Sequence, residues 1–119
     1  WAATGLTRPW NDPAADFDRA VAGATSEVMG GFEDETLVAT AMAGYDGHRG
    51  WVYYLAVDPT ARGRGSGAAM LRAAEAWLKD NGAVKVNLMV RSDNADALGF
   101  YERLGYEDGQ VSVLGRWLV

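Results

Sequence analysis

The residues best suited to chemistry stand in one short run: Val57-Asp58-Pro59-Thr60-Ala61-Arg62-Gly63-Arg64-Gly65-Ser66-Gly67. Glycines at 63, 65 and 67 let the backbone take positive φ and approach a ligand closely. Successive N–H groups in such a turn form an anion-binding concavity. An amphipathic segment follows directly, and a helix starting there adds unsatisfied N–H donors and the positive end of its dipole. Strand, glycine-rich turn and helix together suit a phosphate group, and Arg62 and Arg64 bring charge. The run lacks the Gly-Lys-Ser/Thr of a nucleoside-triphosphate loop. Its glycine spacing also departs from the Gly-x-Gly-x-x-Gly of dinucleotide folds. Taken alone, it reads equally as a surface loop that needs glycine to turn.

Other reactive groups are few. The 119 residues include no cysteine, which excludes a disulfide framework, a thiolate metal site and a cysteine nucleophile. The single histidine, His48, excludes a two-histidine metal site. His48 has the intrinsic pKa of a general base, although Asp46-Gly47-His48 is also ordinary turn chemistry. Tyr101 carries a phenol that stays protonated at neutral pH and can donate a proton. Ala97, Tyr101 and Leu104 also share a helical face, so Tyr101 equally fits a core position. Met29, Met42, Met70 and Met89 read as core.

The elements that must position these groups follow from patterning. Residues 1–7 fit the tail of a helix. Arg8-Pro9-Trp10-Asn11-Asp12-Pro13 cannot be regular, because each proline disfavours helix in the residue before it. Residues 14–24 read as a helix. Strands are predicted over 27–33, 36–45 and 51–57, with turns at Asp34-Glu35 and 46–50. The last of these strands is apolar on both faces, with Trp51, Tyr53, Leu55 and Val57 on one and Val52, Tyr54 and Ala56 on the other. Such a strand is usually central and covered twice. A helix runs from the glycine loop to about Asn81, with a stripe of Met70, Leu71, Ala74, Trp77 and Leu78 and a stop at Gly82. A strand at 84–90, a helix at 94–104 ended by Gly105, and a long strand or tight hairpin over 106–119 complete the chain. The order predicts an α/β chain with a mixed sheet and helices on its faces.

Length and composition agree with one folded domain over 1–119. The hydrophobic fraction is 49% and the charged fraction 23%, which places the chain among globular proteins. No apolar run is long enough to span a membrane, and no basic-then-apolar segment opens the chain, so the expected compartment is cytoplasmic. The net charge of −5 lies entirely in residues 1–50; residues 51–119 are neutral overall. An acidic chain is a poor partner for nucleic acid, whose phosphates dominate such affinity. The acidic half instead favours a cationic ligand, or is simply solubilising surface.

Arg62-x-x-Gly65-x-Gly67, after a strand ending in Ala56-Val57-Asp58-Pro59, resembles the acyl-CoA-binding motif of the GNAT N-acetyltransferases. A second block matches in order and spacing: Asn87-Leu88-Met89-Val90, then Asn94-x-x-Ala97-Leu98-x-x-Tyr101-Glu102-x-x-Gly105-Tyr106. The resemblance covers about residues 51–106. Residues 8–13 and 44–50 further resemble a bacterial YpeA-type branch. Against that family, the chain begins where the first helix would be ending, so an N-terminal strand and most of that helix are expected to be lacking. An unpaired sheet edge left in this way could pair with a second copy to form a homodimer.

The resemblance implies a GNAT fold, a mostly antiparallel sheet splayed between strands 51–57 and 84–90. It implies attack of a neutral amine on the thioester of acetyl-CoA in a ternary complex, without a covalent enzyme intermediate or a metal. Leu55, Ala56 and Val57 would line the pantetheine, with the Leu55 N–H on the thioester oxygen. Arg62, Gly63, Arg64, Gly65, Ser66 and Gly67 would hold the pyrophosphate. Tyr101 would protonate the departing thiolate, and Asn94, also a helix N-cap by type, would touch the pantetheine. Trp10, Asp12 and Tyr53 would face the acceptor, a small-molecule or protein amine. Where some relatives carry a glutamate base, this chain has Trp51 and Met89. His48, Asp46, Asp12 or water past Tyr53 remain for proton removal. The rival readings are an acyl-CoA-binding module without turnover and a nucleic-acid-binding fragment using Arg62-Gly63-Arg64-Gly65.

Overall fold

The computed structural model describes residues 25–33, 36–59 and 65–119. The expectations for residues 1–24, 34–35 and 60–64 lie outside these. The chain divides into two compact units, Trp1–Met89 and Val90–Val119.

In the first unit, strands β1 (Ser26–Glu33), β2 (Thr36–Tyr45) and β3 (Gly50–Val57) pair antiparallel in sequence order. Helix α1 (Ser66–Asp80) then carries the chain to β4 (Val86–Leu88), which pairs parallel to β3. The unit is therefore a four-stranded mixed sheet, and β3–α1–β4 is a crossover of the kind parallel neighbours require. The core lies between β2, β3 and α1. Alternation along β2 turns Ala39, Ala41 and Ala43 to one face, where all three are buried. Their small side chains let α1 settle closely, and Met70, Leu71, Ala74 and Leu78 fill the space from the helix side. These are four of the five predicted stripe residues; Trp77 is only partly covered.

Both helices stop by the same local device. At the end of α1, Gly82 takes φ 102°, Ala83 N–H donates to the Leu78 carbonyl at 3.0 Å and Gly82 N–H to that of Lys79 at 3.0 Å. In the second unit, α2 (Ala95–Arg103) ends with Gly105 at φ 93°. Tyr106 N–H donates to the Tyr101 carbonyl at 3.0 Å, and Gly105 N–H to that of Glu102 at 3.1 Å. Each is a Schellman termination, in which glycine accepts the left-handed conformation at little cost. At the other end of α2, the Asn94 side chain accepts from Ala97 N–H at 3.1 Å, a conventional N-cap.

Three expectations need correction. The strand over 84–90 is only Val86–Leu88 long, because its register with β3 stops at Val52–Leu88. Residues 106–119 form no strand or hairpin; only the turn at Asp108-Gly109 has local support, from Gln110 N–H donating to Asp108 Oδ1 at 2.8 Å. The side-chain alternation assigned to β3 fails at its centre, for a reason that shapes the site.

Candidate functional site

Between Thr40↔Ala56 and Met42↔Tyr53, β2 contributes one residue, Ala41, and β3 contributes two, Tyr54 and Leu55. This is a β-bulge. Tyr54 takes φ 53°, a left-handed conformation that costs a tyrosine free energy. The extra residue exchanges the faces of the strand. Before the bulge Gly50 and Val52 lie on the α1 face, opposite Tyr45 and Ala43; after it Val57 does, opposite Ala39. Ala56 therefore shares the far face with Trp51 and Tyr53, not with Val52 as simple alternation implied. Nothing in the run Val52-Tyr53-Tyr54-Leu55-Ala56 signals a bulge, since its usual marker is glycine. Tyr54 is thus a site residue that sequence reasoning missed.

The bulge falls just past the point where β3 and β4 stop pairing. Beyond Val52–Leu88 no pairing joins β3 to β4, and Leu55 lies on this later stretch of β3. Eight residues after the end of β3, Gly65 opens α1 with φ 77°. No side chain caps this end of the helix and no acidic residue stands in its first turn. Among the described residues, a Cβ at Gly65 meets nothing within 4 Å. Ser66 and Gly67 form the first helical turn, not the loop expected for them. The end of the parallel strand and the start of the following helix thus present N–H donors where an anionic ligand can settle. Arg62, Gly63 and Arg64 lie outside the described residues, as do Trp10 and Asp12.

At the opposite end of β3, Asp46 organises the turn. Its Oδ1 accepts from Arg49 N–H at 2.7 Å and His48 N–H at 2.8 Å. These two bonds, that from Arg49 first, hold its carboxyl below the ordinary value, and a side-chain bond from Trp51 assists. A carboxylate so stabilised is a weak base. His48 is exposed on the same turn, and its carbonyl accepts from the Arg49 guanidinium at 3.0 Å. From Gly50 to Leu55 the bulged strand covers more than about 10 Å, so His48 cannot touch a group seated at Leu55. Tyr53 stacks on Trp51 with ring centroids 6.4 Å apart and planes 16° apart. Burial, then the Asp46 charge, pushes the Tyr53 phenol up.

In the second unit, Tyr101 is half-buried. It meets Phe100 edge-on at 5.1 Å and Tyr106 at 5.7 Å. Because Tyr106 is also the residue whose N–H closes the helix on the Tyr101 carbonyl, the ring and the backbone of Tyr101 are fixed together. Burial raises its phenol above the usual range, so it stays protonated throughout neutral pH. Among the described residues no group of three or more acidic, histidine or cysteine side chains could hold a metal, and no helix is long and apolar enough to cross a membrane.

The sequence profile of the acetyltransferase (GNAT) family matches residues 2–106. A Yersinia pestis (strain Pestoides F) protein named acetyltransferase is 41% identical over 119 residues, spanning all of this chain and 84% of its own. Among solved structures, AAC(6')-Iy in complex with the bisubstrate analog CoA-S-monomethyl-acetylneamine aligns with a TM-score of 0.82 over 98% of this chain and 86% of its own. At 16% identity that likeness is one of fold. A putative acetyl transferase from Pyrococcus furiosus aligns at 26% identity with a TM-score of 0.71, over 88% of this chain and 74% of its own.

Proposed function

The chain belongs to the acetyltransferase (GNAT) family, and from that premise we propose that it transfers the acetyl group of acetyl-CoA to a primary amine by direct attack in a ternary complex. The observation that carries the reading is the bulge at Tyr54–Leu55, set just past the last β3–β4 pair. A bulge re-aims backbone groups, and a fixed N–H directed at an oxygen that gains charge typically contributes ~3–4 kcal/mol in acyl transfer. Leu55 N–H takes this role, with Ala56 and Val57 along the acyl arm.

The start of α1 suits a pyrophosphate. Gly65 is left-handed, the first turn of Ser66 and Gly67 carries no acid, and the neighbouring Arg62, Gly63 and Arg64 supply charge and further amides. Acetyl-CoA supplies the activated acyl group. Tyr101 keeps its proton at neutral pH and gives it to the departing sulfur. Asn94 spends its carbonyl oxygen on the helix cap, and in this reading its amide N–H groups serve the acyl arm. Tyr53, Trp10 and Asp12 face the acceptor.

Proton removal does not fall to Asp46, whose carboxylate is stabilised in its turn. It passes to water beside Tyr53, with His48 as the terminal acceptor. Release of free thiol from acetyl-CoA across a panel of primary amines tests the reading. Amine-dependent release supports it. Tight acetyl-CoA binding with no release for any amine would leave the second reading, an acyl-CoA-binding module, which the absence of an acidic side chain at Trp51 and Met89 favours.

A further inference from the structure

The turn before β3 and the far face of the sheet bring together a carboxylate and an indole that the acyl-transfer reading does not use, beside Tyr53, which that reading turns toward the acceptor. Trp51 and Tyr53 stand two residues apart on one side of the bulge, on the face turned away from α1, and their rings stack in near-parallel planes. Asp46 stands in the turn that leads into Trp51, and its carboxyl is held below the ordinary value by the amides of Arg49 first and His48 next, with the Trp51 side chain assisting. The amides satisfy lone pairs without cancelling the charge. The nearby Arg49 guanidinium is directed elsewhere, to the His48 carbonyl at 3.0 Å.

Gly44 pairs with Trp51 across the sheet, and among the described residues a Cβ there would have only the Thr25 carbonyl oxygen near it, at 4.0 Å. On the other side of Trp51 stands Asn87, its partner in β4. Tyr53 keeps 37% of its surface exposed.

We propose that Asp46, Trp51 and Tyr53 form a subsite for the second positive charge of a dicationic amine acceptor. A cation over an aromatic face is attracted by the ring quadrupole, and an anchored carboxylate beside the ring adds to that field. The spacing sets the length of the acceptor. Opposite the bulge stands Ala41, three residues along β2 from Gly44, the partner of Trp51, so Trp51 and Leu55 are roughly 10 Å apart at a rise of about 3.3 Å per residue. An acceptor with its reacting nitrogen at Leu55 would therefore carry its second charge roughly 10 Å away. The proposal rests on the acyl-transfer reading only for which nitrogen reacts; the cation subsite itself is independent of turnover.

The test has two arms. In the first, an alkane carrying a trimethylammonium group at each end, which cannot be acetylated, is titrated by calorimetry into the full chain, with the neutral diol of the same length as control. The dication should bind and the diol should not. Asp46→Asn retains an oxygen for the amides of His48 and Arg49 and removes only the charge, so it should weaken binding roughly tenfold. Trp51→Leu should do the same, and decides the matter if Asp46→Asn does not fold. Failure of the dication to bind, or equal binding by parent and variants, overturns the proposal. In the second arm, acetylation of a diamine is compared with that of a monoamine of equal length. The parent should prefer the diamine by roughly tenfold in kcat/KM, and Asp46→Asn should lose most of that preference. An unchanged preference in the variant overturns the proposal. Dication binding without acetylation of any amine overturns the acyl-transfer reading and leaves the subsite standing.

Discussion

Leu78 occupies the space that a side chain at Gly50 would need: both of its terminal methyl carbons stand 2.9 Å from the position of a Cβ there. Leu78 is fully buried, so it has no free direction in which to retreat. The contact seats α1 on the first residue of β3, where β3 and β4 are still paired. The same helix begins near the other end of β3, so its seating also fixes where the Gly65 end stands.

Gly50→Ala should therefore destabilise the protein by about 1–3 kcal/mol through overpacking. Leu78→Ala should cost about 2–5 kcal/mol through lost burial and a cavity. Combined, the two should cost less than their sum, because each relieves the other's defect. Urea midpoints of the parent, the single variants and the double variant measure this directly. Additive effects would mean that the two residues do not share the space.

The left-handed backbone at Tyr54 predicts an asymmetry between two replacements. Tyr54→Asn and Tyr54→Val both remove the ring, but asparagine tolerates positive φ and a β-branched residue does not. Tyr54→Val should be less stable than Tyr54→Asn by about 1–2 kcal/mol. If Leu55 N–H has the role proposed for it, acetyl transfer should also be lost, because relieving the strain means removing the bulge beside Leu55. Equal stabilities in urea would argue against the bulge.

Tyr101→Phe keeps the edge contacts to Phe100 and Tyr106 and removes the hydroxyl. If Tyr101 is the acid, kcat should fall roughly a hundredfold. Single-turnover measurement with saturating acetyl-CoA separates this from an effect on binding. A kcat within twofold of the parent would remove Tyr101 from the chemistry.

Gly65→Trp places a ring before α1, on a backbone with φ 77° that strongly prefers glycine. Acetyl-CoA affinity by calorimetry should fall at least tenfold, a loss of about 1.4 kcal/mol. Unchanged affinity in a folded variant would move the pyrophosphate away from this helix.

Stability should also depend on alkaline pH. Burial raises the phenols of Tyr53 and Tyr101 above the ordinary value of about 10. In the unfolded chain they ionise near that value, while in the folded chain they still hold their protons. Stability is then complete below pH of about 10 and declines as the pH rises above it. Thermal melts taken on both sides of that pH should show the fall, and Tyr101→Phe should reduce it.

Much of this was legible in the chain order of residues. The boundaries of β2 at Thr36 and Tyr45, the glycine stops at 82 and 105, the Asn94 cap and the Asp46 turn all follow from side-chain and backbone chemistry acting within a few residues. Local hydrogen bonds need no distant partner, so local sequence is enough to specify them. The two motif blocks likewise announced the family before any geometry was known.

The bulge, the short β4 and the irregular run after Tyr106 were not legible, and for one reason. Register belongs to a pair of strands, and a strand apolar on both faces gives no period from which a one-residue slip can be read. Only pairing with β2 on one side and β4 on the other determined that Tyr54 steps out of line, that Ala56 changes face, and that the two parallel strands stop pairing beyond Val52. The amino-acid sequence by itself determined β1 to β3, the two described helices and the residues that stop them. Tertiary pairing decided where a backbone N–H leaves the ladder, because that depends on how the residues of one strand count against those of its neighbours.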